Sequence, residues 1–317
     1  MTEATFPTPT PPLKGRGLSA ELDTRRIALS TGVTLNVRSG GKAGGEAVIL
    51  LHGFPESHRT WRHQLPVLAR DWFVVAPDQR GFAGSDKPEG VESYETSRIV
   101  GDVMALADAL GVEHFTLVGH DWGGAVAWAA ALTHPFRVKR LVIVNAPHPL
   151  VFQTSVIEDE AQRAASQYIR AFRNPMMEAG IEAMGLGAFF DRTFGSHADL
   201  TRIAPEERQA YLDEWSQPGA LTAMLNWYRA AKIEVPAMGE AASLPLWVRG
   251  PFPSVTQPTL VVWGLGDKAL LPVQLEGLHA RVKDLRIVTS ATAGHFIPWE
   301  EPETVTEAIR DFMAETR

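Results

Sequence analysis

The chain has no cysteine, which excludes a thiol nucleophile, a disulfide framework and any thiolate metal site. It also lacks an excess of basic charge: 30 Lys and Arg stand against 37 Asp and Glu, a formal charge of -7 that leaves no electrostatic footprint for nucleic acid. No apolar run approaches the length needed to cross a bilayer. The opening residues, Met1 to Arg16, are rich in Pro and Thr and have no apolar signal-peptide stretch. These absences point to a cytoplasmic protein that partners neither nucleic acid nor membrane. Internal repeats, long low-complexity segments and phosphate-cradling loops are missing too, and no ligand cluster asks for a metal or organic cofactor. Tyrosine is scarce, at four residues, so the position of each one carries weight.

What is present is an alternation of strand and helix signals. At 317 residues the chain exceeds the size at which one core usually stops growing, so a large domain with a sizeable insertion is expected. After a loose arm over 1–20, Arg26 to Ser30 and Val33 to Arg38 flank the turn Thr31-Gly32 as a hairpin. Fully apolar runs at Ala47 to Leu51, Trp72 to Ala76, Phe115 to Val118 and Leu141 to Val144 read as buried strands. Helical patterns over Trp61 to Ala69, Thr96 to Leu110 and Ala125 to Leu132 fall between them. From 150 to 248 the pattern is helical, rich in aromatics and methionines, with no convincing strand. Strands resume at Thr259 to Trp263 and Leu285 to Val288, and a helix over Pro302 to Glu315 closes the chain. The expectation is an α/β fold: a mostly parallel sheet with helices on both faces, its core at 21–149 and 249–317, and a helical cap at 150–248 lying across the strands' C-terminal ends.

The stretch Gly119-His120-Asp121-Trp122-Gly123-Gly124 joins a strand directly to a helix. Glycines on both sides of a sharp strand-to-helix turn form the nucleophile elbow of an α/β-hydrolase, and here Asp121 stands where many such elbows have Ser. A carboxylate with an ordinary pKa of about 3.9 is already anionic at neutral pH, so Asp121 can attack without prior deprotonation. By itself the stretch could be a helix-capping Asp beside turn glycines. The later loops decide for chemistry: Gly264-Leu265-Gly266-Asp267 follows one strand and Ala293-Gly294-His295-Phe296 the next, in the order nucleophile, acid, histidine. Asp267 would orient His295, which would serve as general base. His52, His120 and His148 border this site and read as structural. In the turn His52-Gly53-Phe54-Pro55, the Phe54 N–H would join the Trp122 N–H as an oxyanion hole. Pro55 is expected to rigidify that turn, with a cis bond as one form it takes.

With these residues in view, the sequence resembles the epoxide hydrolases of the α/β-hydrolase fold over nearly its whole length after the first twenty residues or so. That family carries two lid tyrosines that donate to the epoxide oxygen. Asn226-Trp227-Tyr228-Arg229 resembles the segment bearing one of them and nominates Tyr228. Tyr168-Ile169-Arg170-Ala171-Phe172-Arg173-Asn174-Pro175 is similar to the segment bearing the other and nominates Tyr168, although Arg173 and Met176 stand where the family often has Gln and Gly.

The resemblance implies attack of Asp121 on an epoxide carbon, proton donation from Tyr168 and Tyr228, and release of a vicinal diol once water activated by His295 hydrolyses the ester. The small-molecule substrate would be walled by Phe54, Trp122, Phe172 and Trp227. Further apolar lid residues are Met176, Met177, Met184, Phe189, Phe190 and Met224, equally placed to form the lid's own core. No cofactor is expected. The alternative is a haloalkane or haloacetate dehalogenase using the same aspartyl ester. The first type often has Asn where Phe54 stands, and the second typically has Arg after the nucleophile, where Trp122 stands.

Overall fold

In the computed structural model, which describes residues 21–316, the hairpin forms with longer arms than the apolar pattern indicated. Strand β1 spans Leu22–Ala28 and β2 spans Thr34–Gly41. The turn closes with the Leu29 N–H donating to Val33 O at 2.9 Å, and Gly32 adopts φ 86°. The arm expected over 1–20 lies outside the described residues.

Six further strands follow: β3 Ala47–Leu51, β4 Phe73–Pro77, β5 Phe115–His120, β6 Val138–Val144, β7 Thr259–Gly264 and β8 Leu285–Ser290. They form one sheet in the order β1-β2-β4-β3-β5-β6-β7-β8. β2 is antiparallel to β1 and β4, and every other pairing is parallel. The order reverses between β3 and β5. At such a switch point connections leave in opposite directions and open a crevice at the strands' carboxyl ends.

Helices α1 Gln64–Leu68, α2 Thr96–Ala109 and α3 Trp122–Thr133 belong to the first half of this alternation. α1 is shorter than the sequence pattern indicated, and a 3-10 turn, His58–Trp61, precedes it. A helix begun at Trp61 would need an N–H from Pro66, which has none. Between β6 and β7 lie α4 Pro149–Glu158, α5 Glu160–Ala165, α6 Gln167–Arg173, α7 Met177–Met184, α8 Leu186–Gly195, α9 Pro205–Trp215, α10 Ala220–Ala230 and α11 Leu246–Arg249. Among the described residues no strand falls in this stretch. α12 Ile297–Glu300 and α13 Pro302–Glu315 complete the chain.

Side chains alternate across each strand, so the sheet buries two distinct faces. Val48, Leu50, Val118, Val142 and Val262 pack with Leu65 of α1 and Ile309 and Phe312 of α13. Ile49, Leu51, Leu117, Ile143 and Val261 pack on the opposite side with α2 and α3, in a core continuous with Phe190, Trp215 and Trp227 of the inserted helices. Polar ties hold the insertion to the turn after β3: the Trp215 indole donates to Pro55 O at 2.8 Å, and Arg59 pairs with Glu214 at 2.8 Å. The insertion is thereby anchored directly beside the crevice.

Candidate active site

Asp121 occupies the single residue between β5 and α3 with φ 50° and ψ -122°, a conformation that costs a non-glycine residue about 1–3 kcal/mol. The surrounding packing holds it there. A Cβ on Gly123 would stand 2.3 Å from Leu51 O, and one on Gly53 would stand 2.3 Å from the Asp121 Cβ, so both positions require glycine. Because β3 neighbours β5, the turn after β3 reaches the elbow, and the Phe54 N–H donates to Asp121 Oδ1 at 2.7 Å. The Phe54-Pro55 bond is cis. Trp122 stands at the first position of α3, where a backbone N–H has no partner within the helix.

The loops after β7 and β8 bring up the other two residues. His295 Nδ1 donates to Asp267 Oδ2 at 2.7 Å, and His295 Nε2 lies 3.6 Å from Asp121 Oδ2. The other Asp267 oxygen accepts from the Ala269 and Leu270 N–H groups at 2.8 and 2.9 Å. Burial works against the charge on His295, but Asp267 and then Asp121 hold it well above the ordinary histidine range. Burial likewise opposes ionisation of Asp121 and Asp267, and His295 keeps both carboxyls below the usual aspartate range. The resting site is therefore an aspartate, histidinium, aspartate array.

Tyr168 and Tyr228 lie in α6 and α10, with ring centroids 6.0 Å apart. Burial and then the Asp121 charge push both phenols well above the usual tyrosine range, so both remain protonated. The other two tyrosines are committed elsewhere: Tyr94 donates to Pro88 O at 2.7 Å and Tyr211 to Glu56 Oε1 at 2.9 Å. Two cavity lobes meet at Asp121, Tyr168 and Tyr228. The smaller, about 230 Å³, runs past Trp122, Ala129, Phe152 and Ile233; the larger, about 700 Å³, runs past Phe54, Phe172, Met177, Phe189 and His295.

Of the other expected wall residues, Met184 also lines the large lobe, whereas Phe190 and Met224 are buried in packing and Met176 is exposed. Trp227 needs correction. It is fully buried, donates its indole N–H to Arg80 O at 3.1 Å and packs against Phe82 and Trp122, so it supports the wall from behind. Successive helical residues point about 100° apart, and in α10 Tyr228 faces the chamber while Trp227 faces Arg80 and Phe82.

Two contributions escaped the sequence reading. Asn145, after β6 with φ 39°, donates to Asp267 Oδ2 at 2.8 Å and accepts from the Gly264 N–H at 2.8 Å, locking the acid's loop. Its one visible signal was an Asn directly after a buried strand. The second is a buried pair behind the elbow. His120 Nε2 donates to His295 O at 2.8 Å, and its Nδ1 faces Glu56 Oε2 at 3.7 Å, with neither of these last two atoms hydrogen-bonded among the described residues. Burial pushes the Glu56 carboxyl from 4.5 up to about 7, and burial followed by His295 pushes His120 down to about 4.

The folded protein thus holds the Glu56 proton more tightly than the unfolded chain, and this group removes stability as pH rises from 4.5 to about 7. A glutamine there stays neutral and can donate to His120 Nδ1. Glu56→Gln is therefore expected to raise Tm at pH 8 by about 2–4 °C and by less at pH 5. Calorimetry at the two pH values reads this, and an unchanged Tm at pH 8 contradicts it.

An open sheet with a switch-point crevice, an elbow carboxylate, a histidine backed by a second carboxylate and a helical insertion above them define an α/β-hydrolase. The model of the family described as alpha/beta hydrolase fold matches residues 46–302. The AB hydrolase superfamily protein YfhM of Bacillus subtilis is 34% identical over 286 residues, which cover 90% of this chain and 96% of that protein. Epoxide hydrolase 3 of Xenopus tropicalis is 32% identical over 293 residues, 90% of this chain and 76% of the relative. A solved structure from work on novel epoxide hydrolases in metagenomes from hot environments superposes with a TM-score of 0.84 at 42% identity, covering 92% of this chain and 99% of its own. The chain belongs to the epoxide hydrolases of the α/β-hydrolase fold.

Proposed function

We propose that the enzyme converts an epoxide to a vicinal diol through an ester on Asp121, with residues 150–248 as the cap that supplies the phenols. The observation that carries this reading is the meeting of one carboxylate and two protonated phenols at the waist of the chamber, with His295 Nε2 3.6 Å from that carboxylate. Oδ1 is held by the Phe54 N–H, which leaves Oδ2 to attack an epoxide carbon. As the C–O bond breaks, Tyr168 and Tyr228 donate to the oxygen, one of them transferring its proton.

Ester formation then removes the Asp121 charge that helps keep His295 protonated. The histidinium passes its proton through water to the phenolate, which restores the phenol and leaves His295 neutral as the base for the next step. It takes a proton from water, the water oxygen bonds to the Asp121 carboxyl carbon, and Oδ1 becomes an oxyanion facing the N–H groups of Phe54 and Trp122. Collapse breaks the bond between that carbon and Oδ2, and His295 returns its proton to the departing diol. The proton left on the Asp121 carboxyl passes to His295, which restores the aspartate and the histidinium.

A single turnover on styrene oxide in heavy-oxygen water tests the sequence of bonds. The label is expected on Asp121 and absent from the diol; halide release from a bromoalkane without diol formation from the epoxide would overturn the reading in favour of dehalogenation. Tyr228→Phe is expected to slow ester formation about 10- to 100-fold with substrate affinity little changed. Stopped-flow measurement of that step checks it, and an unchanged rate removes Tyr228 from ring opening.

A further inference from the structure

The reaction consumes a water while the alkyl chain of the ester occupies the chamber, and a second space lies beside that chamber. The cap loop after α8 crosses directly over the His295 loop: a Cβ on Gly294 would lie 3.0 Å from His197 O, closer than most side-chain carbons come. The His197 ring then stands 5.7 Å from the His295 ring and 6.2 Å from that of Phe296. On its inner side His197 lines the large lobe together with Asp121 and His295. On its outer side it lines a separate cleft of about 350 Å³ bordered by Asp199, Arg202, Lys268, Thr292 and Glu300. Among the described residues, His197 alone lines both spaces.

We propose that His197 is the gate of a polar side passage, through which water held by its ring reaches His295 from the outer cleft while substrate occupies the main chamber. The proposal rests on the ester mechanism above. His197 Nδ1 is buried and finds no hydrogen-bond partner among the described residues, which suits it to hold a water molecule. Burial, and then the neighbouring His295, push the His197 ring down to about 4, which keeps it neutral at physiological pH, with one nitrogen to donate and one to accept. The cleft outside is bordered by charged and hydroxyl side chains, whereas the small lobe is walled mainly by apolar groups. Water therefore has a polar route distinct from the apolar space that receives substrate. His197 acts through the water it presents to His295, and is a positioning residue.

His197→Phe keeps a ring of similar bulk and removes the nitrogens. In rapid-quench single turnovers on styrene oxide it is expected to form the Asp121 ester within about twofold of the unmodified rate and to hydrolyse it about tenfold or more slowly. Lys268→Trp, at an exposed position, fills the outer cleft without entering the chamber and is expected to give the same split. It decides the matter if the first variant fails to fold. Ester hydrolysis at the unmodified rate, or equal loss in both steps, would overturn the side passage. Failure of the unmodified enzyme to form any ester would instead overturn the mechanism on which it rests, so the two failures are distinguishable.

Discussion

Asp121→Ala is expected to lower kcat/KM for an epoxide by about 10⁴-fold or more and to abolish covalent labelling entirely. No neighbouring group can take over the attack. The second carboxylate of the site, Asp267, has one oxygen committed to His295 and Asn145 and the other to two backbone N–H groups. The variant also reports on the electrostatics. Asp121 is one of the two carboxylates that hold His295 well above the ordinary histidine range, so its removal should bring the His295 titration down. Stability should change modestly. The Phe54 N–H loses its acceptor, at about 1–3 kcal/mol, while a buried charge is removed. Covalent mass shift, steady-state kinetics and NMR titration of His295 check the three parts. A labelled Asp121→Ala protein would place the nucleophile elsewhere.

His295→Gln is expected to fail at the other step. In the proposed mechanism ring opening depends on the Asp121 anion and the cap phenols, both of which the variant retains, so ester should form at a rate within about tenfold of the unmodified enzyme. Ester hydrolysis loses its base and should slow about 10²- to 10⁴-fold. The enzyme should then accumulate with one substrate mass attached to Asp121, after a burst of one equivalent consumed per site. Intact-protein mass spectrometry with peptide mapping reads the adduct, and quenched-flow kinetics the burst. A His295→Gln enzyme that is inactive yet unlabelled would mean that the histidine is needed for ring opening itself. Together the two variants divide the cycle at the ester, which neither does alone.

Chain order made the loops of the candidate site legible. Asp121, Asp267 and His295 each follow a short apolar run, and in a parallel sheet such residues must emerge at the same edge whatever the details of packing. The Tyr168 and Tyr228 segments were legible through resemblance, since nothing in helical periodicity separates a phenol facing a cavity from one facing a core. The same limit explains Trp227: a register step of one residue along α10 decides which ring meets the chamber, and an aromatic pair reads the same in either order. α1 was overextended because apolar spacing ran across Pro66.

By itself, then, the order of residues determined an α/β sheet interrupted by helices, a carboxylate in the elbow and the stations of Asp267 and His295, because these depend on local periodicity and on the direction of parallel strands. Only the tertiary structure decided that Asn145 locks Asp267, that Glu56 and His120 form a buried pair behind the elbow, and that two lobes join at the phenols. Each of these is a meeting of segments distant along the chain. Its geometry depends on how the inserted helices settle on the sheet, and that is set by packing of the whole core.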